Sequence, residues 1–334
     1  MIQENIDITH RHTFGIATQA AAWGDYESID RLRQLITAAR EREMEFMPIG
    51  EGSNLLFVRP YKGLLLHSLI KTLLVVSTDE DTLLVEAGSG WVWDDFVAHC
   101  VAQGWAGVEN LSYIPGTVGA SAVQNVGAYG VEACDVIERV TALDTETLEL
   151  VNIAAAECDY GYRSSRFKKD WRGKYIVTSV TYRLRRTPHY RLDYGNLQAV
   201  VGDEPTLQKV RDAVVEIRRS KLPEPSQQGS AGSFFVNPVI PREHYNRLLE
   251  QYADMPCYEV DAERVKVPAG WLIDRLGWKG KRIGGAMVYP KQCLVIVNAG
   301  NATAGHVVQL AQDIAFSVFE NYGIIITPEV NYVQ

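Results

Sequence analysis

The spacing of apolar positions divides the chain into helical and extended stretches. Over residues 28–42, Leu32, Leu35, Ile36 and Ala39 recur at the i, i+3, i+4, i+7 spacing of one helix face, with Ser28 ahead of them as a cap. FMPIG at 46–50 and LLFV at 55–58 read as short strands flanking a Gly-rich turn, GEGSN. Apolar runs within 64–90 (LLLHSLI, LLVVS, LLVEAG) predict further strands. A helix over 92–103 carries Trp93, Phe96, Val97 and Cys100 on one stripe, with Gly104 past its end. Strands return between 136 and 187, and Leu207, Val210, Val214 and Ile217 mark a helix at 206–220. The last third predicts helices at 241–252 and 268–276, with Pro241 and Pro268 in their first positions. A strand at 294–298, a long helix at 303–322 capped by Thr303 and a closing strand at 324–330 complete the pattern.

This mixture is α+β. A length of 334 residues, at about 150 per domain, suggests two or three domains. The Pro- and Gly-bearing segment 222–232 (LPEPSQQGSAG) is the best boundary. Composition excludes a disordered or fibrous chain, since 46% of residues are hydrophobic and 22% charged. A net charge of −8 argues against a nucleic-acid or membrane-surface partner. The five cysteines are odd in number and show no C-x-x-C, so a disulfide framework or zinc ribbon is not expected and reduced cytosolic thiols are. The histidines show no zinc-ligand spacing, and no metal is expected. The N-terminus lacks the apolar core of a secretory signal, and the longest apolar runs fall far short of the roughly 20 residues of a membrane span.

Several segments carry chemistry. In GEGSN (50–54) glycines let successive N–H groups converge as an anion nest, though a plain structural turn has the same composition. It is not a dinucleotide fingerprint, because Leu55 stands at the third glycine position and no helix follows. The small-residue segment 114–130 (IPGTVGASAVQNVGAYG) allows backbone to lie against a flat, extended ligand, or else to pack tightly across a helix. GYRSSRFKK at 161–169 offers Arg163 as a carboxylate or phosphate clamp, or as part of a solvated face. GSAGSFFVNP at 229–238 places Ser233 in a glycine-flanked turn that is not a G-x-S-x-G elbow. Glu329 lies in an apolar strand, where an unpaired carboxylate is costly.

In this order, TFG (13–15), GEGSN, IPGTVGA, QNVGAYG, GYRSSRFK, KLPEP, GSFFVNP, AGWLID (269–274) and PEV (328–330) closely resemble the UDP-N-acetylenolpyruvoylglucosamine reductase family over nearly the whole chain. HYRLDYGNL at 189–197 resembles its longer, tyrosine-bearing subtype. Two departures stand out: Val236 where the family often has Lys, and His12 where it often has Asn.

The resemblance implies an FAD-binding fold of the vanillyl-alcohol-oxidase (p-cresol methylhydroxylase) type. Its two subdomains would fall at 1–69 and 70–221, with an α+β substrate domain at 222–323 and the strand 324–334 beside the first. It implies noncovalent FAD held by Gly50, Glu51, Gly52, Ser53 and Asn54, by Pro115, Gly116, Thr117, Gly119 and Ala120, and by Gln124, Asn125, Gly127, Ala128 and Tyr129. NADPH would be the hydride donor and UDP-N-acetylglucosamine enolpyruvate the substrate. Arg163, Ser233 and Glu329 match the family's catalytic residues; Tyr162, Tyr194, Lys221, Asn237 and Gln292 would bind substrate. A cytoplasmic monomer is expected. The rivals are a flavin oxidase of the same fold, which would reoxidise in air with an alcohol, and a non-catalytic nucleotide binder, which would purify colourless.

Overall fold

A computed structural model describes residues 2–224 and 226–334; Pro225, in the expected boundary segment, lies outside them. The chain forms two compact units. One comprises the residues up to Ile6 with Ala20–Glu51 and Lys62–Ser220; the other comprises Asp7–Gln19, Gly52–Tyr61 and Lys221–Gln334.

The first unit holds two larger sheets and the short pair Gly127–Ala128 with Val131–Glu132. Strands Gln3–Asp7, Gln19–Tyr26, Tyr61–Ser68 and Phe46–Ile49 lie side by side in that order, the last two parallel. Helix Ile29–Glu41 starts at Ser28, whose side chain accepts the Arg31 N–H. Its stripe of Leu32, Leu35, Ile36 and Ala39 is buried with Ala22, Leu64 and Leu66 of these strands. An antiparallel sheet follows in the order Leu150–Ala154, Ile137–Asp144, Tyr175–Arg185, Thr82–Gly88, Leu73–Thr78. Strand Tyr175–Arg185 is buried on both faces from Ile176 to Tyr182. Ile176 joins the cluster under helix Ile29–Glu41. Tyr182 meets Trp93 and Phe96 of helix Trp93–Ala102, at ring separations of 5.9 and 4.9 Å.

In the second unit, strands Ser230–Ser233, Val295–Asn298, Ala286–Val288 and Arg282–Ile283 form one sheet, and Val239–Pro241, Arg264–Lys266 and Tyr258–Glu259 another. Helix Ala304–Tyr322, capped by Thr303 and closed by Gly323, buries Val307, Leu310, Ala311, Ile314 and Val318 in the core of this unit.

Some expectations shift. Pro241 and Pro268 stand one position earlier than expected, at the caps of helices Arg242–Leu249 and Ala269–Arg275. Ser233 ends a strand instead of sitting in a turn. The four residues Ser230–Ser233 oppose the three residues Val295–Val297, a bulge that Gly232 permits with φ +71°. The expected strand at 324–330 is extended chain that buries Ile324, Ile326 and Val330, because Pro328 has no N–H for a regular ladder. The strand proper is Asn331–Val333, parallel to Leu55–Phe57.

Candidate active site

Within the first unit, the small-residue segment is tied by its backbone to the stretch that joins strand Thr82–Gly88 to helix Trp93–Ala102. Gly116 C=O accepts from Trp93 N–H, Val118 N–H donates to Trp91 C=O, and Gly119 N–H donates to Ser89 C=O, at 2.9, 2.9 and 3.1 Å. A side chain at Gly119 would begin 2.9 Å from Ser89 Cβ. The segment is therefore not wholly loop. Thr117 caps a short helix, Val118–Gln124, that ends at the left-handed, fully buried Asn125. Ser121 Oγ meets Tyr182 Oη at 2.9 Å beneath it. Glu51 Oε2 accepts the Gly116 N–H at 2.6 Å, and burial pushes its carboxyl above the ordinary range.

Helix Leu207–Lys221 braces the start of this segment, which sequence reasoning missed. Arg211 grips Asp94 bidentately at 2.6 and 2.8 Å, and Asp94 in turn accepts the Tyr113 N–H. Arg218 Nε donates to Tyr113 C=O at 2.9 Å, and the Arg219 guanidinium lies 4.9 Å from the Tyr113 ring centroid. Burial alone would raise the Asp94 carboxyl, but Arg211 and the Tyr113 N–H hold it below the ordinary range. The available signal was Arg211 and Arg218, seven residues apart and so on one helix face.

Arg163 sits in a two-residue hairpin of the same unit. Gly161 and Ser164 exchange backbone bonds at 2.9–3.0 Å, leaving Tyr162 and Arg163 at the tip, and Arg163 takes a left-handed φ of +53°. Its Nη2 donates to Gly127 C=O at 2.6 Å, and Lys168 Nζ donates to Arg163 C=O at 2.9 Å. Asn125 secures the hairpin from below, donating through Nδ2 to Gly161 C=O and to Glu132, and accepting the Cys134 N–H. The Asn125 side chain thus works within the protein fabric. Tyr129 and the exposed Tyr194 meet edge to face at 6.0 Å.

The second unit contains the rest. Phe235 bridges Pro328, Glu329 N–H donates to Phe234 C=O at 2.8 Å, and Val236 N–H donates to Thr327 C=O at 3.0 Å. The structure therefore brings Ser233, at the end of its strand, and Glu329, in the extended segment bonded to Phe234–Val236, onto adjoining stretches of chain, Ser233 exposed and Glu329 half-buried. Asn54 ties into this pair: its Nδ2 donates to Glu329 C=O at 3.2 Å. Asn237 Oδ1 accepts the Ala269 N–H, and Gln292 Oε1 accepts the Leu294 N–H. Lys221 is exposed at the end of its helix.

Gly52 has φ +61°, and a Cβ there would lie 2.5 Å from His12 Cβ, so only glycine fits. His12 is 5% exposed; its Nε2 pairs with Ile16 C=O at 3.1 Å, which makes it the donor and leaves a lone pair on the buried, unpartnered Nδ1. Within the second unit, glycine-only backbone at Gly52 and an unpaired acceptor beside it suit a cofactor that bears hydroxyl groups. The residues present fit FAD.

The class is that of flavin-binding proteins, since residues 25–152 match the FAD binding domain family. In fold, the chain resembles p-cresol methylhydroxylase with a TM-score of 0.50 at 11% identity, covering 95% of this chain and 83% of that one. Residues 224–333 match the C-terminal domain of UDP-N-acetylenolpyruvoylglucosamine reductase. Reductases of that name from Bacteroides fragilis, Porphyromonas gingivalis and Neisseria meningitidis serogroup B are 47, 45 and 44% identical, over 99% of this chain and 97–100% of each relative. The crystal structure of the Thermus caldophilus reductase shares the fold end to end, with a TM-score of 0.70 at 21% identity. The chain belongs to the UDP-N-acetylenolpyruvoylglucosamine reductase family, a family of oxidoreductases, as its motifs led one to expect. Among the described residues, no helix is long and apolar enough to cross a membrane.

Proposed function

We infer that the chain reduces UDP-N-acetylglucosamine enolpyruvate to UDP-N-acetylmuramate in peptidoglycan precursor synthesis, as a cytoplasmic monomer using noncovalent FAD and NADPH. When bound, FAD supplies the two-electron relay between NADPH and the vinyl group of the substrate. The protein must then manage charge and a proton. Reduction at the terminal vinyl carbon leaves negative charge on the α-carbon and its carboxylate, and Arg163 stabilises it. Ser233 delivers the proton to the α-carbon; because a hydroxyl is a weak acid, placement supplies much of the effect. Glu329 assists in a protonated or hydrogen-bonded form, since a second bare carboxylate would repel the enolate. Tyr194 and Lys221 bind the UDP diphosphate, with Tyr162, Asn237 and Gln292 adding contacts in the substrate domain, residues 222–323.

The observation that supports this reading best is the Arg163 hairpin. A non-glycine residue held left-handed, with its guanidinium bonded to Gly127 in the flavin-lining segment, is strain tolerated for placement. The test is NADPH oxidation with and without the enolpyruvyl substrate. Substrate-dependent turnover yielding UDP-N-acetylmuramate is expected. Turnover that ignores this substrate, or reoxidation by air with an alcohol, refutes the reading.

A further inference from the structure

Glu51 is an odd residue for the place it occupies. The turn GEGSN, read above as an anion nest, and the segment 114–130, both proposed to hold FAD, are in contact within the first unit: a Cβ on Gly50 would lie 2.8 Å from Thr117 Oγ1. The side chain bonded across this junction is a carboxylate, accepting the Gly116 N–H at 2.6 Å. An anion thus already engages an amide of a segment proposed to hold FAD. A diphosphate arriving nearby meets like charge in a partly desolvated place, where repulsion is strong.

We propose that Glu51 holds the Gly116 amide while the cradle is empty and takes up one proton from solvent when FAD binds. The neutral acid still accepts the Gly116 N–H through its carbonyl oxygen. Its new O–H is a donor, which suits a diphosphate that can only accept. The surroundings favour this proton. Burial already raises the Glu51 carboxyl, and Asp95 of helix Trp93–Ala102 adds to the rise; the Gly116 bond and His67 of strand Tyr61–Ser68 oppose it. The Nδ1 of His67 lies 2.8 Å from Asp25 Oδ1, which also accepts the Trp23 indole N–H.

The inference rests on the FAD reading of these turns, and its test separates the two. Protein stripped of flavin is titrated with FAD by calorimetry at about pH 6, 7 and 8, in buffers of different protonation heat. Wild type is expected to take up close to one proton, its Kd rising toward the limit of about tenfold per pH unit. Glu51→Gln keeps an acceptor for Gly116 without the charge; it should bind FAD more tightly than wild type at about pH 8, with the uptake gone. Glu51→Ala loses the bond and should bind more weakly at every pH. Absence of uptake in wild type overturns the proposal, as does uptake that persists in Glu51→Gln, which assigns the proton to another group. Equal weakening by Gln and Ala also overturns it, leaving Glu51 a structural tie. Stripped wild type that binds no FAD at all refutes the cofactor reading itself.

Discussion

Arg163 and Ser233, the two residues proposed to act on opposite needs of one carbanion, are held in opposite ways. Arg163 sits at the tip of a tight hairpin with φ +53°, its guanidinium and its carbonyl both bonded to neighbours. Ser233 ends an ordinary strand, exposed, next to a bulge made by Gly232. A left-handed non-glycine residue costs about 1–3 kcal/mol, so the first arrangement persists only because Gly127, Lys168 and Asn125 over-determine it. The contrast fits the chemistry. A cation that stabilises developing charge must be aimed before the charge appears, whereas a proton donor needs reach to one carbon.

The largest effect should follow from breaking the rigid half. Arg163→Ala removes charge stabilisation of the enolate and should slow reoxidation of reduced flavin by the enolpyruvyl substrate by about 10²–10³. Reduction of the flavin by NADPH should stay nearly intact. Arg163→Lys keeps the charge but not the planar fork, and should recover only part of the loss. The half-reactions are separable by stopped-flow on the flavin absorbance. An unchanged reoxidation rate in Arg163→Ala would make the hairpin architecture rather than catalysis.

Breaking the other half should cost somewhat less. Ser233→Ala should slow the same half-reaction by about 10², the low end for a positioned general acid. Ser233→Cys should restore part of it, because a thiol is more acidic than a hydroxyl and can still donate. Wild-type reoxidation in Ser233→Ala would move the proton donor elsewhere, with a protonated Glu329 the next residue to test.

Most of the fold was legible where periodicity is strong, as in the stripe Leu207, Val210, Val214, Ile217 or the capped helix behind Ser28. Helix Val118–Gln124 was not, because Gly119, Ala120, Ser121 and Ala122 carry no apolar stripe. Its turn is made by the Thr117 cap and by close packing on Ser89 and Tyr182, contacts distant in sequence. The final strand was misplaced because apolar character at 324–330 marks burial, while pairing there is broken by Pro328. At the candidate site, motif order pointed to Arg163, Ser233 and Glu329, but not to how they are held. The arginine brace on Tyr113 is a tertiary arrangement that a charged helix face does not distinguish from solvated surface.

A substrate handle remote from the reacting carbons should sharpen the comparison, since neither half should feel its loss. Tyr194 is 46% exposed and touches Tyr129. Tyr194→Phe should raise the apparent KM by the ~1 kcal/mol typical of one hydrogen bond and leave kcat nearly unchanged. A collapse of kcat with unaltered substrate binding would contradict the assignment.

The smallest effect concerns His12, in the second unit beside Gly52. Burial lowers its pKa below the ordinary histidine value of about 6.5, and its unpartnered Nδ1 would have to carry the added proton. The folded state therefore binds this proton less readily than the unfolded chain does. The stabilising contribution is fully present above about pH 6.5 and is lost as pH falls through the depressed folded value, with a limiting slope of about 1.4 kcal/mol per pH unit. Glu51 works in the other direction: its raised carboxyl contributes below the ordinary carboxylate pKa and loses that contribution as pH rises. The two effects oppose each other on the acid side, so the test is a difference between variants. His12→Asn, which installs the residue common in the family at this position, removes one titration and leaves the other. Urea midpoints measured from about pH 5 to 7.5 should fall less steeply toward acid in His12→Asn than in wild type, while the two proteins stay within about 1 kcal/mol near neutrality. Parallel curves would show that the protein accommodates a charged His12, and that the lone pair beside Gly52 finds a partner as the pH drops.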